Sequence, residues 1–206
     1  MTTILKQEKD LISRQSAILE AGFELFAENG FAATRLEDVA ARAGVAKGTL
    51  YLYFDNKEEL FKRVVENTLI LNIAPIEAKL EQHQGPVLPL LEDVFGHIGE
   101  MLSKSRIGTF PKIILAEANN FPELAKYYCD NVILRIQGFF TKIIEKGIAT
   151  GEFRKVDPEA SARILMAPFL MLALINQTPV IRDGIGLDPK AHIKAARDIL
   201  ISGLKA

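Results

Sequence analysis

The sequence predicts an all-α protein of about nine helices, and three observations support this fold class. Apolar residues recur at spacings of three and four along most of the 206-residue chain, and no convincing period-two alternation indicates a strand. Glycines and Asp-Pro pairs, which end and start helices, separate these stretches. Hydrophobic residues make up 49% of the chain, which is enough to build a core.

Four helices are predicted in the first part of the chain. The first ends at Gly30, because glycine tolerates the left-handed conformation of a helix stop. Thr34 and Glu37 have the spacing of a capping box that starts the second helix, and Asn56 with Glu59 repeats this spacing at the fourth. The predicted ranges are about 9–29, 36–43, 46–54 and 57–74.

Five further helices follow Pro75, which is expected to kink or end the fourth. Asp157-Pro158 and Asp188-Pro189 start the last two, and Gly151 ends the long helix before them. These helices are predicted at about 87–103, 111–118, 122–150, 158–177 and 189–203. The chain therefore divides into a small N-terminal domain, 1–56, and a larger helical domain, 57–206, with helix 57–74 connecting the two.

Composition excludes several classes of protein. The 25 basic and 26 acidic side chains give a net charge of −1, which excludes a polycation that holds nucleic acid by bulk charge. The single cysteine, Cys129, excludes an internal disulfide framework and a cysteine-built zinc site. The three histidines are scattered, and no metal-binding, P-loop or dinucleotide-binding motif is present, so we expect neither metal nor cofactor.

The N-terminal residues lack the basic head and apolar core of a secretory signal. The longest uncharged apolar run, Ile164–Ile175, has twelve residues, whereas a bilayer needs about 20. We expect a buried or interface helix there, and a cytoplasmic protein with no membrane segment.

Residues Leu36–Phe54 have the pattern of a helix-turn-helix: two short helices joined by a tight turn that contains glycine. Ala40 is small where the helices cross, Gly44 permits the positive φ of the turn, and Leu50 seals the inner face. Donors suited to phosphates and base edges lie on the outer face of the second helix. On spacing alone, a helical hairpin with an ordinary polar face remains open.

The segments that carry this motif are GF at 30–31 with Thr34, LEDVA at 36–40, AGVAKGTLY at 43–51, YF at 53–54 and KEEL at 57–60. Over residues 12–61 they closely resemble the N-terminal signature of the tetracycline-repressor (TetR) family. Two later segments, FPELAKYY near 121 and GIATGEFRKVDPEASA near 147, resemble the AcrR-like branch of that family.

The resemblance implies that helix 46–53 is the recognition helix and enters the major groove. It assigns DNA contacts in three groups: base edges (Lys47, Gly48 and Thr49, with Ala46 opening the helix), phosphates (Thr34, Tyr51, Tyr53 and Lys57) and either of the two (Arg35). Relatives often carry serine at the position of Ala46 and histidine at that of Leu52, so the base preference stays open.

For residues 57–206 the resemblance implies an effector-binding and dimerisation domain. Helix 158–177 carries more apolar surface than a bundle of this size needs, and we expect it to pair, together with helix 189–203, with their copies in a homodimer. Ordinary packing in the core of one copy is the alternative. An apolar or amphipathic small molecule is the expected effector. Candidate pocket residues are Phe95, Met101, Phe110, Ile114, Asn120, Tyr127, Asn131, Phe139, Met166, Phe169 and Leu170.

The sequence therefore predicts a ligand-responsive transcriptional regulator, most simply a repressor that binds a palindromic operator as a dimer. One alternative is a small-molecule binding protein whose hairpin no longer binds DNA. An all-α enzyme is disfavoured, because neither paired carboxylates nor a nucleophile–base arrangement is evident.

Overall fold

The computed structural model describes residues 2–206, with side chains from residue 12 onward. The predicted all-α class is confirmed: ten continuous helices and no β-strand occur in this part of the chain, close to the predicted nine. The helical segments are α1 (Thr2–Ala33), α2 (Leu36–Arg42), α3 (Lys47–Tyr51), α4 (Lys57–Val65), α5 (Leu71–Gln82), α6 (Val87–Lys104), α7 (Thr109–Glu117), α8 (Pro122–Tyr128), α9 (Leu134–Thr150), α10 (Pro158–Asn176), α11 (Pro179–Gly184) and α12 (Pro189–Leu204).

Two of these helices continue through a wider turn. A π-helical turn, Glu66–Ile70, joins α4 to α5, and a second, Cys129–Ile133, joins α8 to α9. The helix expected to kink or end at Pro75 therefore runs on to Gln82. A proline removes one backbone donor, and the packing of α5 on α9 keeps the helix continuous past it.

Most predicted helix ends are confirmed. Gly30 has φ +78° and interrupts α1, and Gly151 ends α9 with the same φ. The Asn56 side chain accepts the Glu59 N–H at 2.8 Å, and the Asp157 side chain caps α10 through the Ala160 N–H at 2.9 Å. These ends depend on one or two neighbouring residues, which is why local sequence predicts them.

The capping box at Thr34 is wrong. Arg35 is the N-cap of α2 and makes no side-chain cap hydrogen bond. The Thr34 hydroxyl instead donates to the carbonyl oxygens of Gly30 at 2.7 Å and Leu25 at 3.1 Å. The kink at Gly30 brings these carbonyls close to Thr34. The capping-box spacing of Thr34 and Glu37 does not include Gly30 or Leu25, so it cannot predict this contact.

The chain forms two compact units. The first comprises residues 1–70 and 113–128, and the second comprises 71–112 and 129–206. In the first unit the rings of Phe26, Phe31 and Phe61 contact one another, with centroids 5.1–5.7 Å apart, and Phe121 of the α7–α8 corner lies 4.7 Å from Phe31. This aromatic cluster fixes α1, α4 and α8 beneath the helix-turn-helix.

The second unit is built around α9 and α10. The ring of Phe169 lies 4.9 Å from that of Phe95 and 6.3 Å from that of Phe140, so α6, α9 and α10 share one aromatic core. Helix α12 packs closely on α6, where a Cβ at Gly99 would lie 2.8 Å from a methyl carbon of Ile193. These contacts explain why α6, α9, α10 and α12 form a stable bundle.

Helix α10 is longer than the apolar run within it. Its 19 residues have the length and apolar composition of a membrane-spanning segment, and only 28% of its apolar window is buried in its own chain. A large part of the apolar surface of α10 is therefore uncovered in a single copy of the protein.

Candidate nucleic-acid interface

Helices α2 and α3 form the predicted helix-turn-helix. Val39 and Leu50 are fully buried between them, and Ala40 is 2% exposed where the helices approach. Gly44 has φ +67°, and the following Val45 N–H donates to the Ala40 carbonyl at 3.0 Å. Small and apolar residues at the crossing therefore hold α3 against α2 and leave its other face outward.

The outer face of α3 and its flanks is open. Ala46, Lys47 and Gly48 are exposed, and nothing lies within 4 Å of the position that a Cβ would take at Gly48. Tyr51 is 42% exposed, while Thr49 and Tyr53 are half-buried. The structure thus brings six predicted contact residues onto one short segment that a nucleic-acid groove can approach.

Lys47 has a partner on α2. Its Nζ lies 2.6 Å from Oε1 of Glu37 and 5.9 Å from the centre of the Tyr51 ring. The hydrogen bond to Glu37 raises the pKa of Lys47 and lowers the pKa of Glu37. The Lys47 side chain is 59% exposed and that of Glu37 is 50% exposed, so another anion can reach Lys47.

Thr34 and Lys57 are directed into the first unit. Thr34 is only 2% exposed, so its hydroxyl is not accessible to a phosphate. The Lys57 Nζ donates to the Ala32 carbonyl at 2.9 Å and lies 4.6 Å from the centre of the Phe31 ring. Burial lowers the pKa of Lys57, and the charge of Glu117 opposes that shift. In this structure Lys57 therefore holds the end of α1 against the start of α4.

Arg35 is exposed beside Glu37 at the start of α2. Arg42 differs from it, because its Nη1 lies 2.7 Å from Glu28 and 3.6 Å from Glu24 on α1. Arg42 therefore links α2 to α1. These positions leave Arg35 and the outer face of α3 as the accessible cationic and polar surface of the motif.

Comparison with known families decides the identity of this arrangement. Residues 18–64 match the family model of bacterial regulatory proteins of the tetR family, and residues 90–196 match the C-terminal domain of AefR-like transcriptional repressors. The second match alone covers more than half of the chain. The chain belongs to the TetR family.

Relatives of this TetR-family chain are transcriptional regulators. An uncharacterised HTH-type transcriptional regulator of Bacillus subtilis, YfiR, is 29% identical over 77% of this chain and 76% of its own length. Among solved structures, FadR of Bacillus subtilis in complex with stearoyl-CoA superposes with a TM-score of 0.72 at 21% identity, covering 91% of this chain and 98% of FadR. A complex of SmeT with triclosan gives a TM-score of 0.74 at 23% identity, covering 94% of this chain and 92% of SmeT. These two structures share the fold.

The predicted effector-pocket residues of this TetR-family chain fall in different places. Ile114, Asn120 and Tyr127 belong to the first unit, where the Tyr127 hydroxyl donates to the Lys62 carbonyl at 3.4 Å and Asn120 to Glu117 at 3.1 Å. The other eight belong to the second unit: Phe95, Phe110, Phe139 and Phe169 are buried, Met101, Asn131 and Met166 are half-buried, and Leu170 is exposed.

A groove of about 290 Å³ lies between α5 and α9 in the second unit. The Arg135 guanidinium spans it to the Glu77 carboxylate, and of the predicted pocket residues Phe139 lines its wall. No local sequence pattern singles out this groove, because its two walls lie about 60 residues apart in the chain.

Sequence reasoning also missed Glu37 as a partner of Lys47. The sequence predicts Glu37 in the capping box at Thr34, but its carboxylate contacts Lys47 of α3 instead. The sequence does contain a signal for this contact. Glu37 lies in the first turn of α2, and Lys47, ten positions later, is the first residue of α3. The tight turn between the two helices brings these positions together.

Proposed function

We propose that this TetR-family regulator represses transcription in the cytoplasm by binding a palindromic operator as a homodimer. A small apolar or amphipathic effector releases it. The observation that carries the proposal is the accessible face of α3, which presents Lys47, Gly48 and Tyr51 on a rigid helix-turn-helix. A helix of this kind, placed in the major groove, distinguishes base pairs by their edges.

The proposed base contacts are Lys47, Gly48 and Thr49, with Ala46 at the helix start, and the proposed phosphate contacts are Tyr51, Tyr53 and Arg35. The Thr34 and Lys57 side chains support the motif from within, because both donate to main-chain carbonyls of the α1 C-terminal segment. Residues 1–56 then form the functional DNA-binding domain, and residues 57–206 bind the effector and the second copy.

The homodimer is supported by the uncovered apolar surface of α10 and α12. Ile164 on α10 is 58% exposed, and Ile199 on α12 is 71% exposed. Leu170 and Met171 of α10 are 45% and 43% exposed. Two helices from each copy would bury these side chains in a four-helix arrangement, and a two-fold dimer fits a palindromic site.

The effector class is supported by the apolar character of the second unit, whose core brings together Phe95, Phe140 and Phe169, and by two structural neighbours. FadR was solved with stearoyl-CoA and SmeT with triclosan, which are amphipathic and apolar compounds. A ligand that binds the DNA-free conformation better than the DNA-bound one lowers operator affinity, by about 1–3 kcal/mol in typical cases.

Selection from a random-sequence duplex pool at near-physiological salt tests the proposal. We expect an enriched palindrome whose half-sites lie one helical turn, or a multiple of it, apart. Replacing Lys47→Ala together with Tyr51→Ala should abolish the enrichment, whereas Lys104→Ala, a matched exposed lysine on α6, should leave it intact. Retention without any enriched sequence would contradict the operator proposal, and no retention would favour a ligand-binding protein without DNA function.

A further inference from the structure

The cations of the helix-turn-helix are already paired within the free protein. Arg42 is bound to Glu24 and Glu28, and Lys57 is bound to the Ala32 carbonyl. Residues 42–57 carry three basic side chains and one acidic one, Asp55, a net charge of +2. Carboxylates of α1 and α2 therefore offset the charges of Arg42 and Lys47, and Lys47 is the one of the three whose partner is a single exposed carboxylate.

That carboxylate is in the position of a competitor for DNA. Glu37 lies beside two cations of the proposed interface, because its Oε1 is 2.6 Å from Lys47 Nζ and the charge of Arg35 also acts on it. Its side chain is 50% exposed and that of Lys47 is 59% exposed. An exposed ion pair of this kind is weak and exchanges readily for another anion.

We propose that Glu37 is a negative determinant of DNA affinity: it neutralises Lys47 in the free protein and must be displaced by a DNA phosphate or base edge on binding. This inference rests on the proposed function. Once Lys47 turns to the duplex, the Glu37 carboxylate is left beside the phosphates, and the repulsion weakens binding to every sequence alike. Only a site that satisfies the remaining contacts of α3 then retains the protein.

The opposite role makes a different prediction. If Glu37 positioned Lys47 towards a base and stayed bound to it in the complex, then Glu37→Gln would weaken operator binding and leave its salt dependence unchanged. If Glu37 competes with DNA, the same substitution strengthens binding and steepens the salt dependence, because no freed carboxylate then takes up a cation when Lys47 turns to the duplex.

The test measures affinity of the full-length wild type and Glu37→Gln for two duplexes, the selected operator and a random-sequence duplex, over a range of salt concentrations. We expect affinity for both duplexes to rise about two- to fivefold per protomer, the range that corresponds to an exposed ion pair. The slope of log affinity against log salt should become more negative by about 0.9 per protomer.

Two further variants make the result specific. Glu100→Gln breaks a Lys–Glu pair of the same type on α6 and removes the same charge, so it should change neither affinity nor slope. In a Lys47→Ala background, Glu37→Gln should raise the DNA affinity much less, because Glu37 then has no Lys47 to pair with.

Each other outcome overturns the inference. An unchanged or weaker affinity of Glu37→Gln shows that Glu37 is not a competitor. An equal gain with and without Lys47 shows that it acts independently of that residue, and a gain in Glu100→Gln shows an effect of net charge alone. If the wild type binds no duplex, the proposed function fails as well, whereas wild-type operator binding with an unresponsive Glu37→Gln removes this inference alone.

Discussion

Thr34 and Thr49 carry the same side chain in opposite environments, and the Thr→Val substitution separates their roles. Thr34 is buried and donates to two carbonyls, so Thr34→Val should lower the free energy of unfolding by about 1–2 kcal/mol. The operator affinity of the Thr34→Val variant should stay unchanged. Thr49→Val should change stability by less than about 0.5 kcal/mol and weaken operator binding.

Urea unfolding followed by circular dichroism, together with operator titration, measures both effects. The assignment of Thr34 to the fold would be contradicted by a stable Thr34→Val variant that binds DNA poorly.

Glu152 links the stability of the second unit to pH. Its carboxylate accepts the N–H groups of Val87 and Leu88, both at 3.0 Å, and the Thr150 hydroxyl at 2.9 Å. Burial alone would raise the pKa of Glu152, but these hydrogen bonds outweigh it and lower the pKa below its usual value of 4.5. The charged form is therefore favoured in the folded protein.

A lowered pKa in the folded state gives a defined pH dependence. The contribution of Glu152 is present above pH 4.5 and is lost as pH falls from 4.5 towards the lower pKa of the folded state. Glu152→Gln should therefore be less stable than the wild type at pH 7, with the difference shrinking below pH 4.5. Glu159→Gln, on an exposed side chain of α10, is the control, and an equal pH profile for both variants would refute the assignment.

At the scale of the element, two glycines of α6 form a matched pair. A Cβ at Gly99 would meet Ile193 of α12 at 2.8 Å, whereas nothing lies within 4 Å of a Cβ at Gly96. Gly99→Ala should therefore destabilise the protein by about 1–3 kcal/mol through overpacking. Gly96→Ala should stabilise it by about 0.5–1 kcal/mol, because alanine restricts the unfolded chain.

The denaturant midpoints of Gly99→Ala and Gly96→Ala, each compared with the wild type, measure these two changes in stability. Equal shifts for both would show that α6 and α12 do not pack as closely as described.

The same distinction between local and distant causes explains which elements the sequence predicts. Helix ends at Gly30, Gly151 and Asp157 follow from the conformational freedom or capping chemistry of one residue. The two π-helical turns and the short helix α11 are absent from the elements that the sequence predicts. Their formation depends on packing against other helices, which the periodicity of a single segment does not encode.

The proposed DNA-binding surface follows this rule as well. The outward position of Lys47 and Tyr51 follows from helical spacing within α3. The inward position of Thr34 and Lys57 depends on the path of α1 beyond Gly30, which the motif itself does not contain. Sequence therefore predicts the outward face of α3, whereas the inward position of the flanking donors Thr34 and Lys57 is seen only in the structure.

At the scale of the whole molecule, the proposed homodimer ties stability to concentration. If Ile164 and Ile199 are buried only between copies, the melting temperature rises with protein concentration. Ile199→Glu should give a monomer with a concentration-independent and lower melting temperature. Leu115→Glu, at a similarly exposed apolar position on α7, should leave the dimer intact.

Sedimentation and thermal unfolding at several concentrations measure this behaviour. A wild-type monomer at all concentrations would contradict the proposed interface.

The π-helical turn Cys129–Ile133 has a consequence for changes in chain length. Such a turn contains one residue more than an α-helical turn, and each helical residue rotates the chain by about 100°. Deletion of one residue there would leave a regular helix but rotate Phe140 and Ile143 away from the core they fill in the second unit. The irregular turn therefore sets the phase of α9, and a one-residue deletion in it should lower the free energy of unfolding.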